Sequence, residues 1–372
     1  MRRRLFLVTA ANASLGALLA ACGGSSTNAT PNATAPVATT GPVGTAAPPA
    51  TAAPAASGVT GAASMTTAPS AVSGKTLTAV KVAFSYIPNV QFAQFYMADA
   101  KGRFAAEGLK TQFDYGSSSD LMQLTARGER DFLNASGDEV ALARAQGVPV
   151  VYVAAVYQQY PIAVFAPKGK GLTDAQSLTK LKVGIPSRNG ANYIGLKAIL
   201  YANKIDEAKV NLQEVGFSQA QSIAQGKVDA GVGYVNNDVV QLKAQGVDVD
   251  VLRVSDVYNL PSAGVVTSEK MLAEHPETVR AFLRALIAGM RDTQADPKGA
   301  FAEVLKIVPE AARSADVQQQ VLAATIDLSG DPAKYGQIDP AGWTRMTTFM
   351  KETALVKGDP KPEEMFSTKY LG

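Results

Sequence analysis

Cysteine and histidine each occur once in this 372-residue chain, as Cys22 and His275. One Cys rules out a disulfide within the chain. One His, with no Cys beyond position 22, supplies neither a zinc ligand set nor a Cys/His nucleophile pair. Charge is sparse as well: 18% of residues are Asp, Glu, Lys or Arg, and the net charge is +3. That balance gives no basic stripe for a nucleic-acid backbone. No Gly-x-Ser-x-Gly elbow occurs. Gly231-Val-Gly-Tyr234 lacks the third glycine of a dinucleotide fingerprint, and Lys168-Gly-Lys-Gly171 is not a Walker loop. Acidic residues are common, yet no pair is marked out as general acid and base. The expectation is a chain that is not an enzyme, with no cofactor, no metal and no nucleic-acid partner.

What is present begins with an address. Arg2-Arg3-Arg4 is a positive n-region, Leu5–Leu18 a short apolar run, and small residues precede Cys22. This predicts a signal peptide over 1–21 rather than a membrane-spanning helix. Leu19-Ala20-Ala21-Cys22 resembles the bacterial lipobox, which implies cleavage before Cys22 and lipidation at that residue. The alternative is an ordinary cleavage site with an incidental Cys. Residues 22–75 are mostly Ala, Thr, Pro, Ser and Gly. Such a segment buries too little apolar surface to offset its chain entropy. It reads as a disordered tether, spanning roughly 40 Å as a flexible coil. The expected localisation is exported, held to the cell membrane by lipid, facing the extracytoplasmic side.

The rest reads as α/β. Ala79–Phe84 is an apolar strand. A break at Ile87-Pro88-Asn89 leads into a helix over Gln91–Lys101, and Gly108 returns the chain to a strand over Leu109–Tyr115. Parallel strands need such a crossover. Further strands are expected at Phe132–Ala135, Val148–Val156 and Pro161–Ala166. The rhythm restarts at Pro167 with strands at Lys182–Pro186, Leu212–Val215, Asp229–Gly233, Val249–Val254 and Ala263–Thr267. From Glu269 the pattern is helical. Val279, Phe282, Leu283, Leu286, Ile287 and Met290 give the three-and-four spacing of one buried face in a helix over Pro276–Ala295. Two similar halves with an insertion follow: lobe 1 from 76–166 plus 262–372, lobe 2 from 167–261, and hinge crossings near Pro167 and Pro261. The helical tail is expected on lobe 1. Clefts between such lobes are preferred ligand sites.

In open parallel sheets ligands bind at the carboxyl ends of strands. Aromatic and amide side chains gather there: Tyr86, Asn89, Gln91, Tyr115, Tyr157, Gln158, Tyr160, Asn189, Asn192, Tyr193, Tyr234, Asn236 and Asn237. Ser136 and Asp138 open a helix, where they either cap it or turn free N–H groups towards a ligand. Pro88 and Asn89 are equally at home in a plain turn. Flat rings stack on flat heterocycles. An Asn amide pairs with a ring edge that alternates donor and acceptor, as on a flavin or an aminopyrimidine. No Arg or Lys cluster accompanies them, which argues against a phosphorylated ligand. The candidate ligand-binding set is Tyr86, Asn89, Gln91, Tyr115, Ser136, Asp138, Tyr157, Asn192, Tyr193, Tyr234, Asn236 and Asn237.

Several segments together resemble the substrate-binding proteins of ABC importers, in the family of thiamine-pyrimidine-precursor and riboflavin binders. They are Tyr-Ile-Pro-Asn89, Lys101-Gly-Arg-Phe-Ala-Ala-Glu-Gly-Leu109, Ser136-Gly-Asp138, Gly147-Val-Pro149 with Val-Tyr-Val-Ala-Ala-Val-Tyr157, and Gly233-Tyr-Val-Asn-Asn237. The resemblance covers about Val80 to Ala354. It implies a two-lobed periplasmic-binding fold, type II-like, that hands its ligand to membrane permease subunits, and the chain is expected to be a monomer. Where pyrimidine binders usually carry Trp this chain has Tyr86, and where they often carry Glu it has Asp238. The Cys-rich motif of the related fungal pyrimidine synthase has no counterpart. Tyr86-Ile-Pro-Asn-Val-Gln-Phe92 and Gly190-Ala-Asn-Tyr-Ile-Gly195 are more similar to the riboflavin-binding branch, so riboflavin is the expected ligand. A thiamine pyrimidine precursor is the alternative, and a pyrimidine-modifying enzyme or a receptor-linked sensor the further readings.

Overall fold

A computed structural model describes residues 76–371. The expected signal peptide over 1–21, the expected lipidation at Cys22 and the expected tether over 22–75 therefore lie outside the described residues. Among these described residues, ten strands form two five-stranded sheets. The first contains β1 (Thr78–Phe84), β2 (Leu109–Tyr115), β3 (Phe132–Ser136), β4 (Val150–Ala155) and β10 (Ala263–Ser268) in the order β2-β1-β3-β10-β4. The second contains β5 (Ile162–Pro167), β6 (Lys182–Ile185), β7 (Asn211–Glu214), β8 (Ala230–Tyr234) and β9 (Val249–Arg253) in the order β7-β6-β8-β5-β9.

The two sheets share one plan. In each, three strands run parallel, and the fourth in order is antiparallel to both its neighbours. The antiparallel strands, β5 and β10, are the two that follow a crossing between sheets. The first crossing is at Val156–Pro161. The strand Pro161–Ala166, expected to finish lobe 1, instead pairs with β8 and β9 in the second sheet. Its run of apolar residues suits either sheet equally, since both bury it on two faces. Only the pairing partner distinguishes them.

Burial follows the hydrophobic pattern. The helix Pro276–Ala295 begins and ends where its periodicity predicts and buries Val279, Phe282, Leu283, Leu286 and Met290. Phe282 lies between Phe104 and Phe132, with ring centroids 5.1 and 3.8 Å away. Every residue of β4 is buried although it is an edge strand. The tail covers that edge: Tyr152 bridges to Phe366 and Ala155 to Gly336, and the Trp343 ring meets those of Tyr152 and Phe366. Covering an edge in this way blocks pairing with another chain. The tail also reaches the second half. The Tyr258 hydroxyl donates to the Arg345 carbonyl, and Phe349 packs on Tyr201 and Tyr258. Among the described residues no helix is long and apolar enough to cross a membrane.

Candidate functional site

A cavity of about 330 Å³ opens where the two sheets point their parallel carboxyl ends at each other. That is the size range of small-molecule sites. The first sheet supplies Ser85 and Tyr86 after β1 and Asn134, Ala135 and Ser136 at the end of β3. The second supplies Pro186, Ser187 and residues 189–192 after β6, Phe217 and Gln219 after β7, Tyr234 at the end of β8, and Asn237 and Asp238 beyond it. Tyr157, Tyr160 and Pro161 line it from the first crossing. In each sheet the central parallel strand pairs with one neighbour on either side. The chain order reverses there, and backbone groups at such points are free to meet a ligand.

Of the twelve candidate residues, seven lie on the cavity wall: Tyr86, Gln91, Ser136, Tyr157, Asn192, Tyr234 and Asn237. Five do not. Asn89 caps the short helix after β1, accepting the Gln91 N–H at 3.0 Å. Tyr115 stacks on Phe84, and its hydroxyl meets that of Tyr96 at 2.9 Å. Tyr193 turns to Glu207, to which its hydroxyl donates at 2.9 Å. Asn236 is 0% exposed and donates to the Thr325 hydroxyl at 2.9 Å. Asp138 is 0% exposed and sits behind the wall, accepting from the Tyr160 hydroxyl at 3.2 Å. These residues share the strand-end address but face away from the gap, and position along the chain carries no such sign of direction.

The wall also includes residues outside that set: Asn134, Glu139, Phe217, Gln219 and Asp238, with Tyr160 and Asn189 among the noted aromatics and amides. Phe217 had one available signal. It follows Gly216, a turn residue two positions past the end of β7, where the structure gives that glycine a φ of +63°. Asn134 carried none, since it reads as a polar residue inside a buried strand. The structure leaves Phe217 89% exposed and Tyr86 47% exposed. Exposed rings on walls from both sheets are apolar surface available to a ligand.

Most wall polar groups already hold partners. Ser136 N–H and Oγ both meet Glu139 Oε2, at 2.8 and 3.0 Å. That is a capping box, so Ser136 caps its helix and lines the cavity at once. Tyr157 donates to the Gln91 carbonyl at 3.2 Å. Asp238 Oδ2 accepts the Tyr234 N–H at 2.7 Å. Gln219 donates to the Val232 carbonyl, and Asn237 accepts from Gln241. Asn134 Oδ1 and Asn192 Oδ1 are buried without a partner.

Electrostatically the wall is neutral to acidic. No Lys or Arg lines it among the described residues. Burial pushes Asp238 up to about 6, against the two backbone N–H groups that favour its charged form. Burial pushes Asp138 up to about 7, helped by the neighbouring Glu139 charge. Burial likewise holds the hydroxyls of Tyr157, Tyr160 and Tyr234 above the ordinary tyrosine value, so all three remain neutral donors. Such a wall stacks and hydrogen-bonds a flat uncharged molecule. It has no cation to balance a phosphate.

A family model described as NMT1/THI5 like matches residues 89–300. The chain is 40% identical over 304 residues to the riboflavin-binding protein RibY of Chloroflexus aurantiacus, covering 80% of this chain and 87% of that protein. It is 27% identical over 307 residues to the formylaminopyrimidine-binding protein of Halalkalibacterium halodurans, covering 80% of this chain and 92% of the other. The crystal structure of the periplasmic aliphatic sulphonate binding protein SsuA from Escherichia coli superposes with a TM-score of 0.65 at 13% identity, covering 77% of this chain and 96% of that one. That likeness shows the fold, which is the two-lobed periplasmic-binding fold.

Proposed function

This chain belongs to the NMT1/THI5-like family, and from that premise we propose that it captures riboflavin outside the cell and delivers it to the permease of an ABC importer. The observation that carries the reading is the cavity wall itself. Rings from both sheets and from the crossing surround it, amides stand between them, and no cation is present among the described lining residues. The 40% identity to a riboflavin-binding protein supports the same ligand. Tyr86, Tyr157, Tyr234 and Phe217 offer ring contacts of about 0.5–1.5 kcal/mol per aromatic pair beyond area burial. The two sheets approach each other on the ligand, and that closure displays the surface a permease recognises. Cys22 anchors the protein as a monomer, with residues 22–75 as its reach, lobe 2 running between the crossings as an insertion in lobe 1.

Titration of riboflavin fluorescence tests this. Quenching that saturates at micromolar protein is expected, because stacking on tyrosine deactivates the ring. An unquenched titration rules riboflavin out. The likeness to a formylaminopyrimidine-binding protein favours a thiamine pyrimidine precursor as the second reading. Competition decides between them: a pyrimidine that displaces bound riboflavin at equal concentration points to the second ligand. The chain acts as a binder rather than a catalyst. Both wall carboxylates are held within the protein, Glu139 by Ser136 and Asp238 by the Tyr234 N–H. Mass analysis after incubation is expected to return either ligand unchanged, and a product would overturn this.

A further inference from the structure

Buried polar atoms in folded proteins are almost always paired, so each exception asks for a reason. Among the described residues, Asn134 Oδ1 and Asn192 Oδ1 are such exceptions on the cavity wall. Each residue is 8% exposed. Neither side chain makes any hydrogen bond within the described protein, whereas the wall amides of Asn189, Gln219 and Asn237 each hold a partner. The two come from opposite sheets. Asn134 lies in β3, paired across to Phe84 of β1 and Val265 of β10. Asn192 lies in the first turn of the helix Gly190–Ala202 that follows β6.

We propose that Asn134 and Asn192 are the two residues that select the ligand, one from each sheet, by accepting from two separate donors on it. This deepens the riboflavin reading and rests on it. A flavin carries two kinds of donor. The imide N–H stands between two carbonyls, so one Asn amide meets that edge with Oδ1 accepting and Nδ2 donating. The polyol chain offers hydroxyl donors at the other end of the molecule. A ligand that satisfies both amides completes the hydrogen bonding of both sheets at once, and so holds them together. A ring of the same shape without those donors leaves the oxygens unpaired and is rejected, since a site built to bond a donor discriminates against its absence.

The test uses Asn134→Ala and Asn192→Ala with three probes: riboflavin, N3-methylriboflavin, which lacks the imide N–H, and lumiflavin, which lacks the polyol. Each variant is expected to weaken riboflavin binding by roughly 10- to 100-fold. Each analogue is expected to bind the native protein more weakly, and its deficit is expected to vanish in one of the two variants, because the contact is then already lost. Native riboflavin affinity in both variants overturns the inference, as does an equal loss for all three probes. Ligand-free melting separates site from scaffold: a selecting residue leaves the variant melting no lower than the native protein, whereas a structural residue lowers it. If the native protein fails to bind riboflavin, the proposed function and this inference fall together; riboflavin binding that both variants keep at native affinity overturns the inference alone.

Discussion

Replacing Asp138 by Asn isolates one buried ionisation and turns it into a stability measurement. Asp138 is 0% exposed, its Oδ1 accepts from the Tyr160 hydroxyl at 3.2 Å, and its Oδ2 has no partner. Burial and the adjacent Glu139 raise it from the ordinary 3.8 to about 7. The folded chain therefore holds a proton between about pH 4 and 7 that the unfolded chain releases. Stability falls as pH rises through that window and levels off above it. At about 1.4 kcal/mol per pH unit, the shift amounts to at most about 4 kcal/mol. Asparagine mimics the protonated acid and cannot ionise. The variant is thus expected to exceed the native protein by up to about 4 kcal/mol at pH 8, with the gap narrowing by about 1.4 kcal/mol per unit below pH 7. Asp238, raised to about 6, gives both proteins a further slope of the same sign at lower pH. Urea unfolding midpoints between pH 6 and 8, without ligand, read the difference. A native profile that stays level from pH 6 to 7, or a variant that keeps the slope there, refutes the reasoning. The Tyr160 hydroxyl also lies 3.3 Å from the Ala191 carbonyl on the second sheet's helix. A hydroxyl has one proton to give, so neutral Asp138 leaves that proton for the contact between halves.

Three other changes have distinct expected outcomes. Gly137→Ala places a Cβ 2.5 Å from Pro261 Cβ and 2.9 Å from its carbonyl oxygen, and overpacking of that kind costs about 1–3 kcal/mol; thermal melting should fall, and an unchanged midpoint contradicts the contact. Phe217→Ala removes a ring that is 89% exposed, so stability should stay within about 0.5 kcal/mol while riboflavin affinity, by titration, drops by about 0.5–1.5 kcal/mol. Asn236→Ala deletes the bond to Thr325, and urea unfolding should show a loss of about 1–2 kcal/mol with riboflavin affinity retained; lost affinity at unchanged stability would place Asn236 at the cavity instead.

The order of elements and the fold class were legible from the chain alone, because hydrophobic periodicity and turn residues are local. Leu109–Tyr115 and Pro276–Ala295 end where the pattern ends. The strand-end address of the site was legible too, since a parallel sheet forces ligand-facing loops to one edge. Tertiary structure decided three things. It assigned β5 to the second sheet, because an apolar run names no partner strand. It turned Asn236, Asp138, Tyr115 and Tyr193 away from the gap and Asn237, Tyr157 and Tyr234 towards it, because side-chain direction depends on what packs behind each loop. It also exposed Asn134 and Asn192 as the unpartnered pair, since whether a buried amide is satisfied depends on neighbours brought from elsewhere in the chain.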